Sequence, residues 1–310
     1  MKQLLLIFLI IYPLMTDAQT GNKSAEGRSD PGYDLSAPDK VYILPPVLLE
    51  ISGIAVLDGS TIACVEDEHE AVYIYDISKN QITRQIFSGH KGDYEGIARV
   101  GRTIYLLRSD GMLTEIADYD KDKFKRTIYK TNIPWKDNEG LCHDQKNNRL
   151  LVAPKEVPKK DSPCSDFRLI YSFDLTDKKM QSEPVFRFSM AEIRKYALDN
   201  KIRVPVKSKK GTVSPVPDIH FRTSAIGIHP VTGNLFVISG PESILFVFDR
   251  KGNIVFMEQL DKNLFRQPEG ISFMKNGDMF ISNEGKGKAA TIVKFSFRGD
   301  DREIYQHISR

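Results

Sequence analysis

Cysteine, tryptophan and long apolar runs are all scarce in this chain, and each shortage excludes something. Three cysteines among 310 residues cannot build a disulfide framework; at most one bridge forms and a thiol is left over. Their spacing offers no zinc site. Cys64 and Cys142 lie inside apolar strand-like patterns, where a free thiol behaves as a small buried hydrophobe, and Cys164 lies in a polar loop. The one tryptophan, Trp135, leaves packing to Phe and Tyr. After the first twenty residues no stretch of 18 apolar residues occurs, so no transmembrane helical anchor is expected there. Charge of a single sign is also missing: 44 basic residues face 41 acidic ones, for a net +3. The basic stretch 201–210 reads as a solvated loop. Aromatics and bases do not interleave as they would on a nucleic-acid surface, so no nucleic-acid partner is expected. Catalytic signatures are lacking too. There is no Gly-x-Ser-x-Gly elbow and no His-Glu-x-x-His, the six histidines lack metal-ligand spacing, and Gly285–Lys288 is only a fragment of a phosphate loop.

What is present begins with an address. Lys2 supplies a positive start, Leu4 to Met15 an apolar core, and Thr16-Asp17-Ala18 a small-residue cleavage site. Residues 1–18 therefore read as a secretory signal peptide, which places the mature protein in the periplasm or outside the cell. Residues 19–38 are small, polar and charged, the composition of a flexible leader. Residues 39–310 remain as a single domain.

Within that domain one short phrase returns. It reads Ser52-Gly53-Ile54-Ala55, Glu95-Gly96-Ile97-Ala98, Glu139-Gly140-Leu141-Cys142, Ser224-Ala225-Ile226-Gly227 and Glu269-Gly270-Ile271-Ser272, at steps of 43, 44, 85 and 45 residues. Each phrase is followed by a β-branched, apolar strand pattern such as Thr61–Val65 or Leu235–Ile238. An alternating one follows, such as Val72–Asp76 or Ile244–Phe248, with turn residues between them. A period of this length with this content predicts an all-β fold, a β-propeller with five blades. The last repeat runs out of chain after its third strand, and Lys40–Leu44 is expected to supply its outer strand, closing the ring through the N-terminus. The doubled step leaves a sixth blade open. However, residues 190–222 contain an amphipathic helical pattern over 190–200 and several prolines, which fit an insertion better than four strands.

The phrase also sets up chemistry. The innermost strands of a propeller line its axis, so Glu95, Glu139 and Glu269 should converge there with Ser52 and Ser224. Three carboxylates in a narrow, dry channel repel one another and must take up protons or a cation. Oxygen-only ligands suit Ca²⁺, which makes these glutamates candidate calcium ligands. The alternative is that they bond backbone amides, Arg108 or Lys155 and simply close the channel. A second layer near the ends of the next strands, Glu66, Asp67, Arg108, Lys155, Asn283 and Glu284, suits a polar pocket for an unknown small ligand or protein at the channel mouth.

Several segments resemble the SdiA-regulated family of exported bacterial β-propellers: Leu48–Ala55, Gly92–Ala98, Tyr105–Gly111, Asn138–Leu141, Ala225–Pro230, Pro268–Ile271 and, above all, Ile281–Gly287. The resemblance spans about residues 40–297 and implies an exported propeller without an assigned reaction. A more distant likeness to gluconolactonase-type and paraoxonase-type propellers, whose Glu-Gly glutamate binds an axial calcium ion, implies the ligand role for Glu95, Glu139 and Glu269. Asn283 matches the asparagine type those enzymes use. Two functions follow as expectations: a non-catalytic binding protein, or a calcium-dependent hydrolase of small esters, lactones or phosphoesters. In the second, Arg108 or Lys155 would stabilise developing charge and Glu66 or Asp67 would act as base.

Overall fold

The computed structural model describes residues 30–299 except 68, 70, 88, 156–163, 205, 210 and 211. The signal peptide read at 1–18 lies outside the described residues. Five antiparallel sheets stand around one axis. The first blade runs Ile51–Val56, Thr61–Glu66, Ala71–Asp76, Gln81–Phe87, and the second Tyr94–Val100, Thr103–Arg108, Met112–Ala117, Lys125–Lys130. The fourth runs Thr223–Ile228, Leu235–Ser239, Ile244–Phe248, Ile254–Gln259. Blade three, Asn138–Asp144, Arg149–Pro154 and Phe167–Asp174, splits its outer edge into Lys179–Met180 and Phe186–Ser189. Blade five, Pro268–Phe273, Met279–Asn283 and Thr291–Phe295, takes Lys40–Ile43 as its outer strand, in the register Lys40↔Lys294 to Ile43↔Thr291. The five-blade reading and the N-terminal closure both hold.

The core consists of the faces between blades. Ile, Val, Leu and Phe side chains of adjacent sheets interdigitate, and the inner strands are buried almost continuously, as sheets covered on both faces are. At the seam of blades three and four, Phe188, Phe221, Phe246 and Phe248 stack, with Phe188 and Phe248 centroids 3.8 Å apart. The helix Met190–Asp199 covers this stack. Ser189 caps its N-terminus by accepting from the Glu192 amide at 3.4 Å, and Met190, Ile193 and Ala197 face the core. The rest of the expected insertion is more ordered than its composition indicated: Val206–Lys209 and Thr212–Pro217 pair as a two-stranded hairpin. The prolines that argued against strands are tolerated because a two-stranded ribbon is all edge.

The leader read at 19–38 also needs correction in its described part. Tyr33 and Leu35 are 7% and 6% exposed and pack among Phe236, Phe265 and Phe295 of blades four and five. Two large apolar side chains in an otherwise polar run are enough to dock it.

Candidate functional site: the acidic mouth of the axial channel

The axis is built by one device used five times. In every innermost strand the pairing register slips by one residue: between Ile51 and Ile54, Tyr94 and Gly96, Asn138 and Gly140, Thr223 and Ala225, and Pro268 and Gly270. In blades two to five the unpaired residue is the first of the repeated phrase, and in blade one Ser52 and Gly53 are both left between paired residues. A bulge bends the strand and re-aims its side chain, and here it brings Glu95, Glu139, Ser224 and Glu269 to one small axial void of about 10 Å³. That is room for one water-sized group. The glycine that follows has its own reason. A Cβ on Gly53 would lie 2.8 Å from the Glu95 carbonyl, and one on Gly96 2.7 Å from the Glu139 carbonyl. On Gly270 it would lie 2.9 Å from the Ser52 carbonyl. At these three positions neighbouring innermost strands approach too closely for a side chain, whereas blade four carries Ala225 at the equivalent place.

The next residue of each phrase, Ile54, Ile97, Leu141, Ile226 and Ile271, forms an apolar ring around the same void. Burial dominates the electrostatics that result. It pushes the Glu95 carboxyl up to about 9, with Glu139 and Asp93 adding to the rise. Burial likewise raises Glu269, and burial together with Glu269 raises Glu139 against the pull of Lys155. Lys155 Nζ bonds Glu139 Oε1. Desolvation opposes the ammonium charge, but Glu139, with Glu269 and Asp137 behind it, holds the lysine above its usual range. Among the described residues Glu139 Oε2 has no hydrogen-bond partner, while the Ser224 hydroxyl beside the Glu269 carboxyl works against the rise that burial causes there.

The second layer divides. Glu66 is 1% exposed and turns back into its own loop, accepting from the His69 amide at 2.8 Å and meeting His69 Nδ1 at 2.9 Å. Arg108 pairs with Asp110 at 2.6 Å and donates to the Lys91 carbonyl at 3.1 Å, so its guanidinium serves the rim. Glu284 pairs with Lys286 at 2.7 Å. Asn283 is buried, and its Oδ1 has no hydrogen-bond partner. Asp67 stands at the rim, where partial desolvation and the acids Asp93, Glu284 and Glu50 push its carboxyl up to about 6. Asp93, Asp137 and Glu50 belong to this mouth although the repeated phrase did not point to them. Their signal was position, just ahead of a phrase, rather than type. Of the expected residues, Lys155 joins the glutamate ring, and Asp67 and Glu284 join the acidic rim. Glu66 and Arg108 are engaged elsewhere.

The donor set is right for calcium in kind, since it is all oxygen. Among the described residues no three His, Cys, Asp or Glu side chains converge on a metal position, and Lys155 already supplies a cation to Glu139.

The SdiA-regulated family model matches residues 202–306. The SdiA-regulated match thus covers blades four and five with the hairpin before them, while the likeness of blades one to three rests on their own residues. No curated protein matches the chain. The crystal structure of Myxococcus xanthus glutaminyl cyclase superposes with a TM-score of 0.54 at 12% identity, over 84% of this chain and 94% of that one. A luciferin-regenerating enzyme gives 0.48 at 9% identity, over 84% and 95%, and streptogramin B lyase 0.43 at 11%, over 84% and 74%. The first likeness shows the propeller fold and nothing about chemistry.

Proposed function

We propose that this is an exported propeller of the SdiA-regulated type that binds a cationic small molecule through the acidic mouth of its channel. The observation that carries this reading is the buried Glu139 Oε2, left without a donor beside the Ser224 hydroxyl and the Glu269 carboxyl, around a void sized for one small group. Buried acceptors without donors are costly, and each is relieved by an N–H. Lys155 shows what the ring accepts: an ammonium on a slim aliphatic stem. Asp67, Asp93 and Glu50 at the rim would draw a positive ligand towards it.

A calcium-dependent hydrolase of small esters, lactones or phosphoesters is the second reading, favoured by the oxygen-only donors. It requires Lys155 to leave Glu139, and calcium bound there would supply charge stabilisation to an oxygen of the substrate. One experiment separates the two. The melting temperature of the mature protein is measured with spermidine and, separately, with Ca²⁺, for the wild type and Glu269→Gln. A rise with spermidine that the variant loses supports the binding protein. A rise with Ca²⁺ alone, lost in the variant, supports the second reading and calls for an esterase and lactonase screen. No rise with either removes the ligand role of the ring.

A further inference from the structure

The opposite end of the axis carries the opposite charge. Beyond the isoleucine ring the channel opens again into a well of about 180 Å³ to which all five blades contribute, with Ile97, Leu141 and Phe273 among the apolar residues lining it. Its polar side chains include Arg99 from blade two, His143 from blade three and Lys275 from blade five. Arg99 donates through Nε to the Gly101 carbonyl at 2.8 Å. Among the described residues neither Arg99 nor Lys275 pairs with a carboxylate. The acids of that face are committed. Asp144 accepts from Arg149 Nε at 2.8 Å and Asn147 Nδ2 at 2.7 Å. Asp58 is taken by the Ser60 and Thr61 amides at 2.8 Å each and by the Thr61 hydroxyl at 2.7 Å. A groove of about 520 Å³ between blades one and five shares Arg99, Phe273 and Lys275 with the well and widens its mouth.

Two cations that have no carboxylate partner among the described residues, beside a concave apolar floor, match one chemistry. We propose that this well binds a short-chain monocarboxylate, its tail on Ile97, Leu141 and Phe273 and its carboxylate held by Arg99 and Lys275. Inorganic anions would leave the floor bare, and a neutral apolar molecule would leave both cations unused. The well has room for a tail of several carbon atoms. His143, half-buried in the lining of the well, stands ready to donate to or accept from the bound head group. Arg99 offers the planar fork that suits a carboxylate.

The probe is hexanoate, titrated into the mature chain carrying ¹³C-labelled isoleucine methyl groups. n-Hexylammonium and inorganic phosphate serve as comparisons. The expected result is a saturable shift of the Ile54, Ile97 and Ile271 methyl signals with hexanoate. Arg99→Gln and Lys275→Gln should each weaken it about tenfold, the loss expected of one charge-assisted hydrogen bond. No saturable shift, equal binding of hexylammonium, phosphate binding as tight as hexanoate, or unchanged affinity in both variants would each overturn the proposal. Should a variant fail to fold, the location of the wild-type methyl shifts still decides. Shifts confined to isoleucines away from the axis, such as Ile128, place the carboxylate elsewhere and overturn it as well.

Discussion

At the scale of the residue, the ring is governed by where its protons sit. Glu95 titrates in the folded protein near 9, against an ordinary glutamate value of 4.5. The folded state therefore binds a proton that the unfolded chain releases, and stability from this group is fully present below about 4.5 and lost as pH rises through about 9. Glu95→Gln copies the protonated form with no charge to desolvate. The variant should melt about 4 °C or more above the wild type at pH 8, and the two should converge at pH 4.5, as thermal melts across that range would show. A wild type as stable at pH 8 as at pH 5, with no gain in the variant, would mean that the carboxyl is ionised and partnered. The residue scale is also where sequence reading reached least far. Glutamate at 95, 139 and 269 announced the ring, and the need to neutralise it followed from charge alone. Yet which basic residue would answer was a matter of rotamer and loop. Lys155 reaches Glu139, whereas Arg108, one register position earlier in its blade, is taken by Asp110. Similarly, Glu66 was lost to its own neighbour His69.

At the scale of the element, the recurring unit is a bulged strand followed by a glycine, and the two features depend on each other. The bulge turns the acidic or hydroxyl side chain to the axis, and the missing Cβ lets the next blade close against it. This is why the phrase was legible as a period: the bulge recurs in all five blades and the glycine in four of them, with Ala225 at that position in blade four. Elements with no such constraint were harder to read. The hairpin at 206–217 has only two strands and admits prolines, so its sequence carries no strand pattern. The glycine argument has a direct test. A methyl group on Gly96 would lie 2.7 Å from both the Glu139 carbonyl and Leu141 Cβ, whereas one on Gly59 meets nothing within 4 Å. Gly96→Ala should cost about 3 kcal/mol, the upper range for overpacking, while Gly59→Ala stays within about 0.5 kcal/mol. Urea denaturation of the two variants measures the difference. Equal stability would show that the innermost strands can spread, and that the channel is wider in solution.

At the scale of the whole molecule, what remains is the closure of the ring. Blade five lacks an outer strand of its own, and Lys40–Ile43 supplies it from the other end of the chain. The blade is joined to blade one at its inner edge as well, where the Val56 amide donates to Ser272 Oγ at 2.9 Å and Ser282 Oγ to the Ser52 carbonyl at 3.2 Å. The N-terminal segment brings more than hydrogen bonds. Tyr33, Leu35, Tyr42 and Leu44 are each under 8% exposed. At about 1.5–3 kcal/mol for each buried side chain, their loss approaches the entire stability of a typical domain, roughly 5–15 kcal/mol. A chain beginning at Pro45 should therefore melt far below one beginning at Gln19. It would also expose the free edge of Thr291–Phe295, a template for pairing with a second chain. Size-exclusion chromatography with light scattering should find dimers or larger species for the short chain and monomers for the long one. A synthetic peptide covering residues 30–44, added in trans, should restore both the monomer and part of the lost melting temperature. If the short chain stays monomeric and melts with the long one, blade five is stable with three strands. The closure would then be a convenience of topology rather than the lock on which the acidic mouth and the basic well both depend.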